Sequence, residues 1–215
     1  MKDIVIIGAG GHAKVVADII LKRKKLLNEN LNVVGFLDDG YKNLKYNSIF
    51  DIPVLGDTTL VEKFEEEKHY SYVIAIGNNQ VREKISTKFI KLDYYTVIHP
   101  KAVIGTEVII NAGTVVMANV VVNSATIIGK HCILNTGSII EHNSNIKDYC
   151  HISPSAVLCG TVNVGKKSWI GAGSIIIQNK NIGENSIIGA GSVVIGDVSD
   201  NCTVVGNPGK IIKGE

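Results

Sequence analysis

Chemistry in this 215-residue chain rests on a small set of side chains. Histidines stand at positions 12, 69, 99, 131, 142 and 151, and imidazole is the natural general base near neutral pH. For any one histidine a solvated or structural role is the default. His142 stands out by its neighbours, Glu141 and Asn143, and His151 follows directly before Ile152. The four cysteines (Cys132, Cys150, Cys159, Cys202) form no CxxC pair. They fit a reducing cytoplasm as small buried hydrophobes, better than a disulfide framework or a zinc site. None has a neighbouring base at a recognisable spacing, so a covalent thiol carrier is not expected. Near the N-terminus, Gly8-x-Gly10-x-x-Ala13 follows the apolar run Ile4-Val5-Ile6-Ile7. Glycines placed so let backbone approach a phosphate, and the helix N-terminus behind them attracts anions. Alone, that fingerprint also describes a tight turn in any α/β unit.

Around the glycine turn the pattern reads strand, turn, then a helix from Lys14. Val33-Val34-Gly35-Phe36-Leu37 is a second strand, ending in Asp38-Asp39, where ribose or base contacts are usually made. A helix is expected over Thr58 to Lys68, capped near Asp57 or Thr58. Tyr72 to Ile76 is another strand, ending at Gly77-Asn78-Asn79, with a helix through Arg82, Glu83 and Ile85. Alternation of this kind means a small parallel sheet of four or five strands covered by helices. That is half of a full dinucleotide fold, so a mononucleotide-linked ligand suits it better than NAD. The run Lys22-Arg23-Lys24-Lys25 reads as a solvated helix end, where cations are favoured.

The second half has another rhythm. Stepping by six from Ile98 to Val194 meets seventeen aliphatic residues without a phase slip. Chance gives this on the order of once in ten million trials or rarer. One residue later comes Gly or Asn in many hexads, among them Gly105, Asn111, Gly129 and Gly165, the types that best tolerate positive φ. Four residues later comes a small side chain, as at Thr114, Cys132 and Ser138. Short strand, corner, short strand, corner: three such sides close a triangular coil that buries one aliphatic residue per side. His142, two residues past inward Ile140, then faces outward. Nine residues separate it from His151, one and a half sides. The two meet around a corner, or one comes from a neighbouring chain.

Composition excludes other classes. Apolar content of 45% and charged content of 20% describe an ordinary globular chain. A net charge of +2 without a basic stripe, and 6% aromatics, argue against nucleic-acid binding. Apolar runs fall short of a bilayer span, and the start of the chain is too soon interrupted for a signal peptide, so neither membrane insertion nor export is expected.

The hexads over roughly residues 97 to 198 resemble those of left-handed parallel β-helix proteins, the hand being implied by the resemblance. The whole chain resembles the hexapeptide-repeat sugar acyltransferases that place a small α/β nucleotide-sugar domain before the β-helix. Bacillosamine-pathway and perosamine N-acetyltransferases belong to this subfamily, as do sialic acid O-acetyltransferase-like enzymes. The matching stretches are Ile6 to Ala13, Gly35 to Asp39, Ala75 to Asn78, Ile98-His99-Pro100, Asn135-Thr136-Gly137, Glu141-His142, Cys150 to Pro154 and Val205 to Lys210. The resemblance implies a Rossmann-like domain over 1–95 and an acyltransferase domain with a C-terminal tail over 96–215. It implies acetyl-CoA as co-substrate, no metal, and a cytoplasmic homotrimer with active sites between protomers.

By the same resemblance His142 is the general base and His151 contacts the thioester carbonyl. Glu141 and Asn135 face the substrate. Gly8, Gly10, Gly11, His12, Asp38, Asp39, Gly77 and Asn78 form the nucleotide-sugar pocket. Gly160, Ala172, Ala190, Pro208 and Lys210 line the path of the acyl carrier. One position departs: relatives often carry an acidic residue after the base, and here it is Asn143. An amide can fix a tautomer but cannot stabilise imidazolium by charge. Either Glu141 substitutes, or the base is weaker, or the acceptor is less demanding. The implied reaction is N-acetylation of a nucleotide-linked aminosugar. Other readings are sugar O-acetylation, a γ-class carbonic anhydrase-like metalloenzyme using His131, His142 and His151, an NAD-dependent oxidoreductase, and a non-catalytic scaffold.

Overall fold

In the computed structural model, which describes residues 1–214, Ile4, Val5, Ile6 and Ile7 are all buried. A run without polar alternation needs cover on both faces, and a central parallel strand provides it. The order is β1 (Lys2–Ile7), α1 (Gly11–Leu27), β2 (Leu31–Leu37), β3 (Ser48–Ile49), β4 (Ile52–Gly56), α2 (Leu60–Glu67), β5 (Ser71–Ile74), α3 (Asn79–Lys88) and β6 (Asp93–Tyr94). The sheet runs β3-β4-β2-β1-β5-β6, parallel except for the β3–β4 hairpin. It has six strands where four or five are expected, because β3 and β6 are two-residue pieces with no apolar run to mark them. Its core gathers Val5, Ile7, Leu37, Val61, Tyr72, Ile74 and Phe89.

Helix α1 buries Ala13, Val16, Ala17 and Ile20, a stripe at helical spacing, and ends at Asn28 in the left-handed region. It begins at Gly11, three residues before the apolar periodicity does. Asp57 supports the start of α2 by accepting from the Thr59 amide at 3.0 Å. The basic run on α1 is not uniformly solvated. Arg23 pairs with Glu29 and donates to the Ile98 carbonyl at 2.6 Å, while Lys22 stays exposed beside Asp18. Among the described residues no helix is long and apolar enough to cross a membrane.

The chain divides into two units, Met1–Pro100 and the residues from Lys101 on. In the second unit two-residue strands stack on three sides. Side one carries Val115–Val116, Ile133–Leu134, His151–Ile152, Trp169–Ile170 and Ile187–Ile188; side two carries Val121–Val122, Ile139–Ile140, Val157–Leu158 and Ile175–Ile176; side three carries Ile127–Ile128, Asn145–Ile146, Asn163–Val164 and Asn181–Ile182. Each strand pairs in parallel with the one 18 residues on, as Ile139 with Val157. The aliphatic column from Val116 to Val194 is buried throughout, whereas Ile104 and Ile110, on the first coil, are partly open. The small column has its own logic. Thr114, Cys132, Cys150 and Ser168 each donate to a carbonyl 15 residues on, at Gly129, Lys147, Gly165 and Gly183. Two of the cysteines thus stand in for hydroxyls in a buried polar ladder.

One expectation is corrected. Positive φ falls three residues after the inward aliphatic, at Ala125, His131, Gly137, Asn143 and Tyr149, and not one residue after it. The glycines of the earlier position answer to crowding. A Cβ at Gly129 would lie 2.6 Å from the Asp148 amide nitrogen, and one at Gly165 2.5 Å from that of Glu184. The next coil approaches too closely there for a side chain.

Candidate functional site

Two groups of residues carry the candidate chemistry, one in each unit. In the first, Gly8 has φ 108°, and a Cβ on it would meet the Ala75 carbonyl at 2.8 Å, so β1 can leave the sheet there only through glycine. Gly10 and Gly11 border open space. Gly10 caps α1 without a side-chain bond, and no acidic residue occupies the first turn, which leaves the helix start open to an anion. Asp38 does not simply face a ligand. Its Oδ2 accepts from the Ala9 amide at 2.8 Å and its Oδ1 from the Gly40 amide at 2.8 Å. Asp39 accepts from the Thr58 amide at 2.9 Å. Both acids therefore build the pocket's backbone, and Tyr46 adds a hydroxyl donated to the Ala9 carbonyl at 2.6 Å.

Opposite lies the β5–α3 connection with Gly77 and Asn78. Asn78 caps α3 by accepting from the Val81 amide at 3.0 Å. Arg82, missed in the sequence, holds this loop. It is almost wholly buried and donates to the Ile76 and Gly77 carbonyls at 3.1 and 2.9 Å and to Asn79 at 2.9 Å. Its position four residues past the cap was the available signal. Burial, helped by the Arg82 guanidinium, pushes His12 down to about 4, so its ring is neutral at pH 7. Its Nε2 is buried without a hydrogen-bond partner.

The second group sits at the corner between sides two and three. His142 is exposed and points out of the coil, as its distance from Ile140 predicts. Its Nδ1 lies 2.8 Å from Asn143 Oδ1. With that oxygen accepting, Nδ1 carries the hydrogen and Nε2 presents a lone pair. Asn143 is a left-handed corner residue, φ 59°, a conformation asparagine tolerates. Glu141 is engaged elsewhere, accepting from Asn123 at 2.8 Å, so the group at Nδ1 is the amide. One coil on, a Cβ at Gly160 would lie 2.7 Å from His142 Cε1 and 2.8 Å from Nε2. Glycine there makes the space that the imidazole fills.

His151 belongs to side one. It is buried, stacked on Trp169, with Nε2 3.2 Å from Asn135 Nδ2. Ala172 and Ala190 are exposed one above the other at the corner between sides one and two, joined by the Gly191 amide on the Ala172 carbonyl at 2.8 Å. Pro208 is exposed, as is Lys210, which opens the strand Lys210–Lys213 antiparallel to Thr203–Val205. Within one chain, then, His142 with Gly160 and His151 with Asn135 occupy different edges of the prism. His131 stacks on Tyr149 at 5.4 Å. Among the described residues no three His, Cys, Asp or Glu side chains gather as metal ligands.

The PglD N-terminal domain family matches residues 3–89. A variant of perosamine N-acetyltransferase from Caulobacter crescentus, solved with CoA and GDP-perosamine, superimposes with a TM-score of 0.89 at 32% identity, covering 100% of this chain and 98% of that one. This chain belongs to the hexapeptide-repeat sugar acyltransferase family. The acetyltransferase domain of PglB from Neisseria gonorrhoeae FA1090, solved with acetyl coenzyme A, is a second such relative, at 33% identity and a TM-score of 0.88 over 98% of this chain and 99% of that one. UDP-N-acetylbacillosamine N-acetyltransferase of Bacillus subtilis is 36% identical over 116 residues, 53% of this chain and 50% of the relative. Both members of the family with solved structures thus carry the CoA nucleotide, and the α/β unit and β-helix of this chain are the family's fold.

Proposed function

We propose that this chain is an acetyl-CoA-dependent N-acetyltransferase acting on the amine of a nucleotide-linked aminosugar. The observation that carries the reading is His142: exposed, its Nδ1 fixed by Asn143, its ring seated over Gly160. In the reaction the sugar amine attacks the thioester carbonyl, the C–N bond forms, the C–S bond breaks and coenzyme A leaves as its thiolate. His142 Nε2 receives the amine proton directly or through one water. The backbone N–H of Gly160, with His151, stabilises the oxyanion. The glycine turn, Gly77 and Asn78 hold the nucleotide sugar, and the bare start of α1 suits its phosphates.

Asn143 in place of an acid fixes the tautomer of His142 without a charge to hold the imidazolium. That favours a mechanism in which the proton is passed on as attack proceeds. The separation of His142 and His151 on different edges supports a homotrimer with each site made by two protomers. Incubation with acetyl-CoA and a panel of UDP-, GDP- and dTDP-linked 4-aminosugars, following thiol release, tests the reading. Release with the amine and none with the 4-hydroxy counterpart is expected; the reverse preference would make the enzyme an O-acetyltransferase.

A further inference from the structure

His151 differs from the other coil histidines in what fixes its ring. It opens a strand of side one, paired with Ile133 one coil before and Trp169 one coil after. Trp169 is the only tryptophan of the chain. Its ring stacks on the imidazole with centroids 5.0 Å apart and planes 17° from parallel. The indole is itself held, donating to Ser153 Oγ at 2.7 Å. At the ring's edge Asn135 Nδ2 lies 3.2 Å from His151 Nε2. The direction of that bond follows from the other end of the amide. The Thr136 backbone N–H donates to Asn135 Oδ1 at 2.8 Å. A flipped amide would turn its NH2 against this N–H, donor facing donor. The NH2 group therefore faces His151, and Nε2 accepts. In a neutral imidazole whose Nε2 accepts, the hydrogen is on Nδ1.

We infer that Asn135 and Trp169 are positioning residues that hold His151 as the neutral Nδ1–H tautomer, so that it donates a hydrogen bond to the thioester carbonyl and does not act as a second base. The identity of the carbonyl rests on the acetyl-transfer reading above; the tautomer does not. The two histidines then divide the work by hydrogen placement. His142 offers a lone pair to take a proton, and His151 offers a hydrogen that it keeps. The stacked indole restricts the swing of the imidazole that would break this arrangement.

Long-range 1H–15N correlation on 15N-histidine-labelled full-length protein tests the assignment, with His151→Asn identifying the resonances. His151 in the wild type is expected as Nδ1–H, and acetyl-CoA is expected to shift its signals. Asn135→Asp leaves only acceptors at that edge, so the hydrogen should move to Nε2 and kcat should fall about tenfold or more, as for loss of an oxyanion donor. Trp169→Leu should lower kcat about fivefold, and Trp169→Phe, which keeps a stacked ring, should restore most of it. The wild-type spectrum and the Leu/Phe pair decide the matter even if Asn135→Asp fails to fold. A wild-type Nε2–H tautomer, or equal rates for Trp169→Leu and Trp169→Phe, overturns the inference. If the tautomer is as expected but acetyl-CoA leaves the ring unmoved and no aminosugar releases thiol, the acetyl-transfer reading falls and the tautomer assignment stands.

Discussion

The two halves of the molecule specify their sites by different means. In the β-helix every position recurs each 18 residues, so a side chain's neighbours can be read by adding that number: His142 sits over Gly160, and His151 stacks on Trp169. In the α/β half nothing recurs. The pocket is tied by bonds between residues far apart in the chain, Asp38 to the Ala9 amide and Tyr46 to the Ala9 carbonyl. A periodic scaffold lets one substitution be judged against its own column. An aperiodic one makes each residue answer to a particular distant partner.

The sharpest way to break this comparison is His142→Ala. The side chain is exposed, so folding should survive while turnover falls roughly 100-fold or more, the usual size for loss of a general base. A fall below threefold in steady-state assays removes His142 from that role. The α/β half should reveal itself by acid sensitivity. His12 stands at about 4 against an ordinary 6.5, so on acidification the unfolded chain binds the proton first. Its contribution is complete above pH 6.5 and is lost as pH falls toward 4, by at most about 3 kcal/mol. Urea melts at pH 7 and 4.5 should differ less in His12→Asn than in the wild type; equal differences would contradict the burial argument. Next in size, Gly8→Ala combines φ 108° with the close Ala75 carbonyl. It should lose about 2 kcal/mol in the melting of the first unit, with Gly10→Ala nearly silent. Smallest is Cys132→Ser, which keeps a donor for the Lys147 carbonyl and should stay within about 0.5 kcal/mol, whereas Cys132→Val should lose about 1 to 2 kcal/mol. Equal melting of the two variants would show that the ladder contributes nothing.

Legibility followed the same division. The period of six disclosed the coil, its buried column and the outward face of His142, because each hexad repeats one physical demand. The period did not tell which demand each column met. Gly129 and Gly165 were read as conformational and proved steric, while the left-handed corners went to residues as unlike as Ala125, Tyr149 and Lys167. In the α/β half, strand and helix order was legible from apolar runs. Asp38 and Asp39 read as ligand contacts from their place at a strand end, but their bonds go to backbone amides no local pattern announces. Arg82 was read only as helix, since nothing nearby in sequence marks it as the residue that holds the Gly77 carbonyl. Trp169 was overlooked although the register points straight at it from His151.

The 18-residue pairing also constrains how such a chain can change in length. Inserting or deleting one residue in a side would turn every later side chain away from its column, moving aliphatics to water and corners onto flat faces. Removing a whole turn alters only how tall the prism is, and each surviving residue keeps its azimuth. Divergence in this half should therefore come in steps of one full turn, with odd insertions confined to loops that leave and rejoin a single corner.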